Sequence, residues 1–184
     1  MFQWREVKAK AYHEAGHVVA AVLQGLNLAE GGMRIDDGAQ GVARLCIREH
    51  GNLANTEKDQ AERRASIVTL LAGRFAQLRY DSYSDDPICW SDDFGRIDGL
   101  MAEMGLDTQS VMKQLSDASE SIVARNWPLV AGLAELLLSA PISTMTQDEL
   151  NTGWFTCFMK CQKHLSSERI RNFFQAKGYA CEIS

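Results

Sequence analysis

The chain has 184 residues, 46% of them hydrophobic and 23% charged, and a net charge of −5. These values are typical of one globular domain with a buried core, and the lack of basic runs argues against a nucleic-acid partner. The first ten residues lack the apolar core of an export signal, and the apolar run over residues 18–23 is too short to span a bilayer. We therefore expect a cytoplasmic protein with no membrane segment.

The first half of the chain is predicted to begin with a helix, which a stretch of alternating apolar and polar residues follows. Apolar spacing predicts a helix over residues 6–23, which Gly25 would end. Residues 31–47 are Gly-rich, apolar and polar residues alternate in them, and the turn signal Asp37-Gly38 lies in their middle. This pattern predicts a β-hairpin, which a bulge could interrupt. Residues 41–47 form a candidate edge strand for binding an extended peptide by β-addition.

Two further helices follow the hairpin. Thr56 and Asp59 make a capping box, which predicts a helix over residues 57–79. Ser91 is a candidate N-cap for a helix over residues 92–104.

The second half of the chain is also predicted to be helical. A stretch over residues 108–139 contains Pro128, so we expect it to break near residues 126–127. Two last helices are predicted over residues 146–163 and 167–176. The expected fold is mostly α with a small β-hairpin or sheet, in a single domain over residues 1–184.

His13-Glu14-Ala15-Gly16-His17 matches the H-E-x-x-H motif, inside the first predicted helix. Positions i and i+4 share one helix face, so His13 and His17 can both point a ring nitrogen at one metal ion. Zn²⁺ is the favoured ion because imidazole and carboxylate ligands suit it and it needs no redox chemistry. Glu14 projects about 100° further round the helix. It is therefore expected to act as the catalytic base toward water held by the metal.

The alternative is a chance motif with two exposed histidines. Two details favour a metal site. The apolar run after His17 places the motif in a core helix. Gly16 costs about 1 kcal/mol relative to Ala in a helix interior, which the close approach of another segment would explain.

A catalytic zinc site needs a third protein ligand. The metzincin motif H-E-x-x-H-x-x-G-x-x-H is absent, because Ala20 and Leu23 stand where it requires Gly and the third His. Asp93 is our candidate, since a carboxylate at a helix N-terminus is stabilised by the helix dipole. The residue pattern alone leaves open that Asp92 and Asp93 only cap their helix.

Three segments resemble the peptidase domain of FtsH-type ATP-dependent zinc proteases. YHEAGHVVAAVL, from Tyr12 to Leu23, resembles the family's zinc helix, and residues 67–76 resemble its next helix. Ser91-Asp92-Asp93-Phe94 resembles the family's Ser-Asn-Asp-aliphatic element, in which the Asp at the position of Asp93 is the third zinc ligand. Residues 122–150 show a weaker similarity to the late helices.

The resemblance implies an FtsH-like zincin fold over residues 1–150 and zinc-dependent cleavage of unfolded or extended polypeptides. Gln77 and Phe75 depart from the family, which usually has Glu and Ala there. The 184 residues contain no ATPase domain, so a separate ATPase or unfoldase is a candidate partner. Whether the chain forms a homo-oligomer is left open. Residues 151–184 have no counterpart and are expected to form a helical tail.

Two other functions remain open, namely a catalytically silent binding or regulatory module and a zinc amidohydrolase acting on a small substrate. Cys157-x3-Cys161-x2-His164 has metal-like spacing, with Cys181 as a candidate fourth ligand. We prefer to interpret it as two buried thiols on one helix face. The five cysteines are expected to be reduced, and His50 to be a surface residue.

Overall fold

A computed structural model describes residues 4–36, 41–45, 56–84, 90–104, 108–144 and 161–183. Its elements follow the order α1 (Trp4–Leu23), β1 (Leu28–Asp36), β2 (Gly41–Leu45), α2 (Glu57–Tyr80), α3 (Ser91–Met104), α4 (Thr108–Arg125), α5 (Trp127–Leu138), β3 (Ile142–Thr144), β4 (Cys161–Leu165) and α6 (Ser167–Gln175). The described chain is mostly helical, with one antiparallel sheet of strand order β2-β1-β4-β3. The expected class, mostly α with a small sheet, is confirmed.

Helix α1 is the central element of the fold. Every residue from 11 to 22 is buried, and α1 packs against α2, α5 and the first two strands. Gly25 follows the helix with φ +72°, a conformation that glycine adopts without strain. The predicted end of α1 is therefore confirmed.

Strands β1 and β2 form the predicted hairpin. Met33 pairs with Ala43 and Ile35 with Gly41, and the register shifts between Leu28 and Met33. Gly32, within the irregular stretch, has φ +65°, and a Cβ there would overlap the carbonyl of Leu165 in β4. The hairpin is confirmed, and its register is irregular before Met33, whereas the Asp37-Gly38 turn lies outside the described residues.

Helix α2 begins, and the helical stretch over residues 108–139 breaks, where local sequence signals predict. Thr56 and Asp59 form both hydrogen bonds of the capping box at the start of α2. Helices α4 and α5 meet at 72° across Asn126, and Pro128 lies in the first turn of α5. Within the described residues, no single helix has the length and apolarity to cross a membrane, although α4 and α5 would meet those two criteria as a bent pair.

The prediction for the end of the chain is wrong in part. Cys161–Leu165 is strand β4, not the end of a helix over residues 146–163, and Cys161 therefore does not share a helix face with another thiol. β4 pairs with β1 on one side and β3 on the other. Residues 145–160 lie outside the described part, and α6 matches the helix expected over residues 167–176.

Two groups of buried apolar side chains make up the core. One joins α1, β1, α5, β4 and α6, and it includes Val19, Met33, Leu133, Leu165 and Phe174. The other joins α2, α3 and α4, and it includes Ile67, Leu71, Ile97, Met101 and Leu115. Residues 161–183 thus contribute to the same core as the helix that carries H-E-x-x-H.

Candidate metal centre

Three side chains from α1 and α3 converge on one point. Nε2 of His13 lies 3.2 Å from Oδ2 of Asp93, Nε2 of His17 lies 3.3 Å from the same oxygen, and the two Nε2 atoms are 2.9 Å apart. Within the described ranges, this is the one group of three His, Cys, Asp or Glu side chains close enough to share a metal ion. The structure therefore brings together the three residues selected from the sequence.

The spacing of these three donors matches a single tetrahedral ion. Ligands at about 2.0–2.1 Å from a tetrahedral zinc ion stand about 3.3 Å from one another. The three donor separations here run from 2.9 to 3.3 Å. The rings of His13 and His17 are nearly perpendicular, at 89°, so each can direct Nε2 to the same point. Two imidazoles and one carboxylate would leave the fourth position of such an ion open.

His17 is held by helix α2. Its Nδ1 lies 2.9 Å from the backbone carbonyl oxygen of Thr69, and since a carbonyl only accepts, Nδ1 donates and carries the proton. In the neutral ring the lone pair of His17 is then on Nε2, the atom directed at His13 and Asp93. A hydrogen bond of this kind is what orients a metal-binding imidazole.

Two glycines let α1 and α2 approach closely enough for that bond. A Cβ on Gly16 would stand 2.5 Å from the carbonyl oxygen of Ala72 and 2.6 Å from the Cβ of Ala76. A Cβ on Gly73 would overlap the ring of His17. The close approach inferred from Gly16 is confirmed, and the approaching segment is α2.

Asp93 is placed by contacts between α2 and the start of α3. The indole Nε1 of Trp90 donates to Oε1 of Gln77 at 3.4 Å, and Nε2 of Gln77 donates to the carbonyl of Ser84 at 2.9 Å. The guanidinium of Arg74 lies over the Trp90 ring, 4.6 Å from its centroid. Gln77 stands where the FtsH-type proteases usually have Glu, but nothing in the sequence indicated its contact with Trp90.

Burial and charge set the protonation of the three donors. Burial, together with the nearby charge of Lys10, lowers the pKa of His13 to about 4, so this imidazole is neutral at pH 7. Burial also acts to lower the pKa of His17, but the Asp93 carboxylate outweighs it and the pKa lies above its ordinary value. Burial acts to raise the pKa of Asp93, yet His17 and His13 bring it far below its usual range. The site is therefore anionic at Asp93 and suited to a cation.

Glu14 is buried beside the donors and is not one of them. Its side chain is 3% exposed, and its Oε1 lies 3.3 Å from Nζ of Lys10, one helical turn earlier. Glu14 follows His13 on α1, and its charge acts on the rings of His13 and His17.

The cysteine-histidine motif lies only partly within the described residues, and His164 and Cys181 are the candidate ligands whose side chains are described. His164 is exposed on β4, with its Nε2 2.7 Å from the carbonyl oxygen of Gly31. Cys181 is a buried free thiol, and burial raises its pKa. Cys157 and His50 lie outside the described residues.

A function for this chain has to be inferred from its own residues. No protein-family model matches the chain, and no curated protein matches it either.

Proposed function

We propose that this chain is a zinc-dependent metallopeptidase that hydrolyses peptide bonds in unfolded or extended polypeptides. The observation that carries the proposal is the convergence of His13, His17 and Asp93, with donor atoms 2.9 to 3.3 Å apart. Glu14 adjoins His13 on the same buried helix, in the position of the general base of an H-E-x-x-H site.

The chemistry follows from what each group offers. A bound zinc ion would supply Lewis acidity, lowering the pKa of water to about 7 and polarising the scissile carbonyl. Glu14 accepts a proton from the attacking water as the new C–O bond forms. Glu14 then returns that proton to the leaving nitrogen as the C–N bond breaks. Thr69 fixes the ring of His17 throughout, because its carbonyl accepts the Nδ1 proton.

The position of β2 supports a polypeptide substrate. Gly41–Leu45 pairs with β1 on one side and lies at the end of the described sheet. Helix α1 packs against β2, which brings this edge near the helix that carries Glu14. An extended chain that adds to a sheet edge gains backbone hydrogen bonds without regard to its sequence.

The resemblance of YHEAGHVVAAVL and Ser91–Phe94 to FtsH-type zinc proteases supports the same assignment. By that resemblance the chain has an FtsH-like zincin fold, and a separate ATPase or unfoldase would deliver folded substrates to it. Self-association into a homo-oligomer belongs to the same proposal.

Replacing the base tests the proposal directly. Glu14→Gln should keep one zinc ion per chain but cut cleavage of an unfolded protein such as casein by about 100-fold or more. Glu120→Gln, an exposed glutamate of α4, is the matched control and should cleave like the wild type. His17→Ala should lose the zinc itself. Undiminished cleavage by Glu14→Gln would refute the role given to Glu14.

The second candidate function is a binding or regulatory module that keeps the site without turnover. The observation that favours it is the contact of Glu14 with Lys10, because Oε1 of Glu14 lies 3.3 Å from Nζ of Lys10 and is thus engaged in an ion pair. Stoichiometric zinc without casein cleavage, even with candidate ATPases added, would select the module over the peptidase.

A further inference from the structure

An exposed arginine lies against a stack of aromatic rings where α1, α2 and α5 meet. The guanidinium of Arg79, in the last turn of α2, lies over the ring of Trp127, 4.9 Å from its centroid. Trp127 stacks on Tyr12 at 5.4 Å, and Tyr12 stacks on Tyr80 at 4.1 Å, with interplanar angles of 21° and 15°. The three rings come from three helices, so they hold in place the surface on which Arg79 lies.

A second cation lies at the turn that follows α2. Arg5 donates from Nε and Nη2 to the two carboxylate oxygens of Asp81, at 2.6 and 2.9 Å, and the backbone N–H of Tyr83 donates to the same carboxylate at 3.1 Å. The Arg5 guanidinium is 5.8 Å from the centroid of the Tyr83 ring, which is 89% exposed. The turn therefore presents a cation and an aromatic ring side by side to solvent.

Arg125 is a third cation on this surface. It is exposed in the last turn of α4, two residues before Trp127. We call Arg5, Arg79, Arg125, Tyr83 and Trp127 the basic-aromatic patch. Within the described ranges, neither Arg79 nor Arg125 has an ion-pair partner. The patch thus presents two unpaired positive charges on a chain whose net charge is −5.

The anions beside the patch already have partners or are balanced. Asp81 accepts hydrogen bonds from Arg5, and Glu135 accepts one from the hydroxyl of Tyr12 at 3.2 Å. Glu6 and Lys8, both exposed on the first turns of α1, carry opposite charges. The charges of Arg79 and Arg125 are therefore not cancelled by these neighbours.

The helix dipole explains only part of this arrangement. A cation in the last turn of a helix is favourable, and Arg79 and Arg125 both have that position. The dipole gives no reason for a guanidinium to lie over an indole. Stacking occupies the face of the guanidinium, and its edge of N–H donors suits the two oxygens of a carboxylate. Arg79 is therefore arranged as a carboxylate-binding group.

We propose that the basic-aromatic patch binds an acidic segment of a partner polypeptide. Arg79 binds a carboxylate of that segment, Arg125 adds a second positive charge, and the ring of Tyr83 contacts an apolar side chain. Charge complementarity selects this partner, and a lipid surface is disfavoured because Trp127 is held in the stack and does not extend to insert into a bilayer. The inference goes beyond the peptidase function and does not depend on it, because no residue of the patch belongs to the candidate metal centre.

Fluorescence anisotropy with a labelled peptide tests the patch on the full-length chain. The probe is a short fluorescein-labelled peptide of glutamate and aspartate around one phenylalanine, titrated with and without chelator so that binding at the metal centre is recognised. We expect saturable binding that the chelator does not change. The affinity should fall roughly 10-fold between about 0.05 and 0.3 M salt, because salt screens exposed charges.

Substitutions on the patch should weaken the binding of this probe. Arg79→Gln should lower the affinity about 10-fold, and Arg79→Lys should restore only part of it because an ammonium group lacks the planar fork. Arg125→Gln should lower it roughly 3-fold. Arg169→Gln removes an exposed arginine of α6 and is the matched control, expected to bind like the wild type.

Several outcomes would overturn the inference. One is a wild type without saturable binding, and another is equal affinity of Arg79→Gln and Arg169→Gln. Equal binding of a peptide with lysines in place of the acidic residues would show that charge does not select the partner. A chain that sediments with phosphatidylserine vesicles but does not bind the peptide would assign the patch to a membrane surface instead. If Arg79→Gln melts at a lower temperature than the wild type, the comparison of Arg125→Gln with Arg169→Gln decides.

Discussion

At Gly73, the absence of a side chain makes room for the ring of His17. Gly73→Ala should push that ring away from its donor position and weaken zinc binding about 10-fold or more, although alanine favours a helix by about 1 kcal/mol. Chelator competition measures the affinity. Gly95→Ala is the matched control, since a Cβ there meets nothing within 4 Å and should leave zinc affinity unchanged. Equal affinities for the two variants would contradict the steric argument.

His13 should make the stability of the metal-free protein depend on pH. Its pKa falls from 6.5 to about 4 on folding, chiefly through burial. Between pH 6.5 and about pH 4 the unfolded chain binds a proton that folded His13 does not, so the free energy of unfolding decreases as the pH falls. The pKa of His17 is raised, so its effect on the pH dependence of the free energy of unfolding lies above this window. The pKa of Asp93 is lowered, so its effect lies below it.

His13→Gln removes this proton uptake. The melting temperature of the variant, measured in chelator across the same window, should fall less steeply with decreasing pH than that of the wild type. Parallel slopes for the two proteins would mean that His13 is not held neutral by the fold.

The sequence predicted the parts of the site that depend on local spacing. The i, i+4 spacing of His13 and His17 places both rings on one face of the helix, and both side chains are buried there. Asp93 lies on another helix, and the residue pattern alone did not decide whether it is a metal ligand or only caps that helix. The acceptor for His17 is the backbone carbonyl of Thr69, which no side-chain identity encodes. Lys10 and Glu14 have a visible i, i+4 spacing, but only the packing shows that Glu14 is buried and Lys10 partly buried.

At the scale of elements, the contact between α2 and the start of α3 decides where Asp93 lies. Gln77→Ala would leave the buried indole N–H of Trp90 without its acceptor, at a cost of about 1–3 kcal/mol in the free energy of unfolding. Because α3 would be held less firmly, zinc affinity should also drop by roughly 10-fold.

Denaturant unfolding and chelator competition measure these two effects. Gln114→Ala removes an exposed glutamine of α4 and is the control, expected to match the wild type in both. A Gln77→Ala variant with the zinc affinity of this control would show that the Trp90 contact does not position Asp93.

Helices were predictable from local signals, and strand β4 was not. The capping box at Thr56 and the break at Pro128 act within a few residues of the chain, and both are found where the sequence places them. Cys161–Leu165 forms a strand because β1 and β3 pair with its two edges, and those partners lie far away in the sequence. Lys163 adds a contact between elements, since its Nζ donates to the carbonyls of Leu138 and Ala140 at 2.6 and 2.8 Å.

At the scale of the whole molecule, the candidate metal centre lies where the two core groups meet. Helix α1 belongs to one group and α3 to the other, while α2 contributes Ala72 and Ala76 to the first and Ile67 and Leu71 to the second. A metal ion bound by α1 and α3 would therefore link the two halves of the core. An ion that binds the folded chain but not the unfolded chain raises the free energy of unfolding by mass action.

Residues 161–183 belong to this same unit, and Phe174 provides the test. Its side chain is fully buried in the core group of α1 and lies edge-on to Phe173 and Tyr179. Phe174→Ala should lower the free energy of unfolding by about 3–5 kcal/mol, because it leaves a cavity in a core that α6 shares with α1. Phe173→Ala, at a partly buried position, should cost less.

Equilibrium denaturation followed by tryptophan fluorescence and by far-UV circular dichroism measures both variants. We expect one cooperative transition in which the two probes coincide, shifted to lower denaturant by Phe174→Ala. A separate early transition, with the main unfolding step at the wild-type position, would mean that the end of the chain unfolds independently. In that case the helix bearing His13 and His17 would not depend on α6 for its packing.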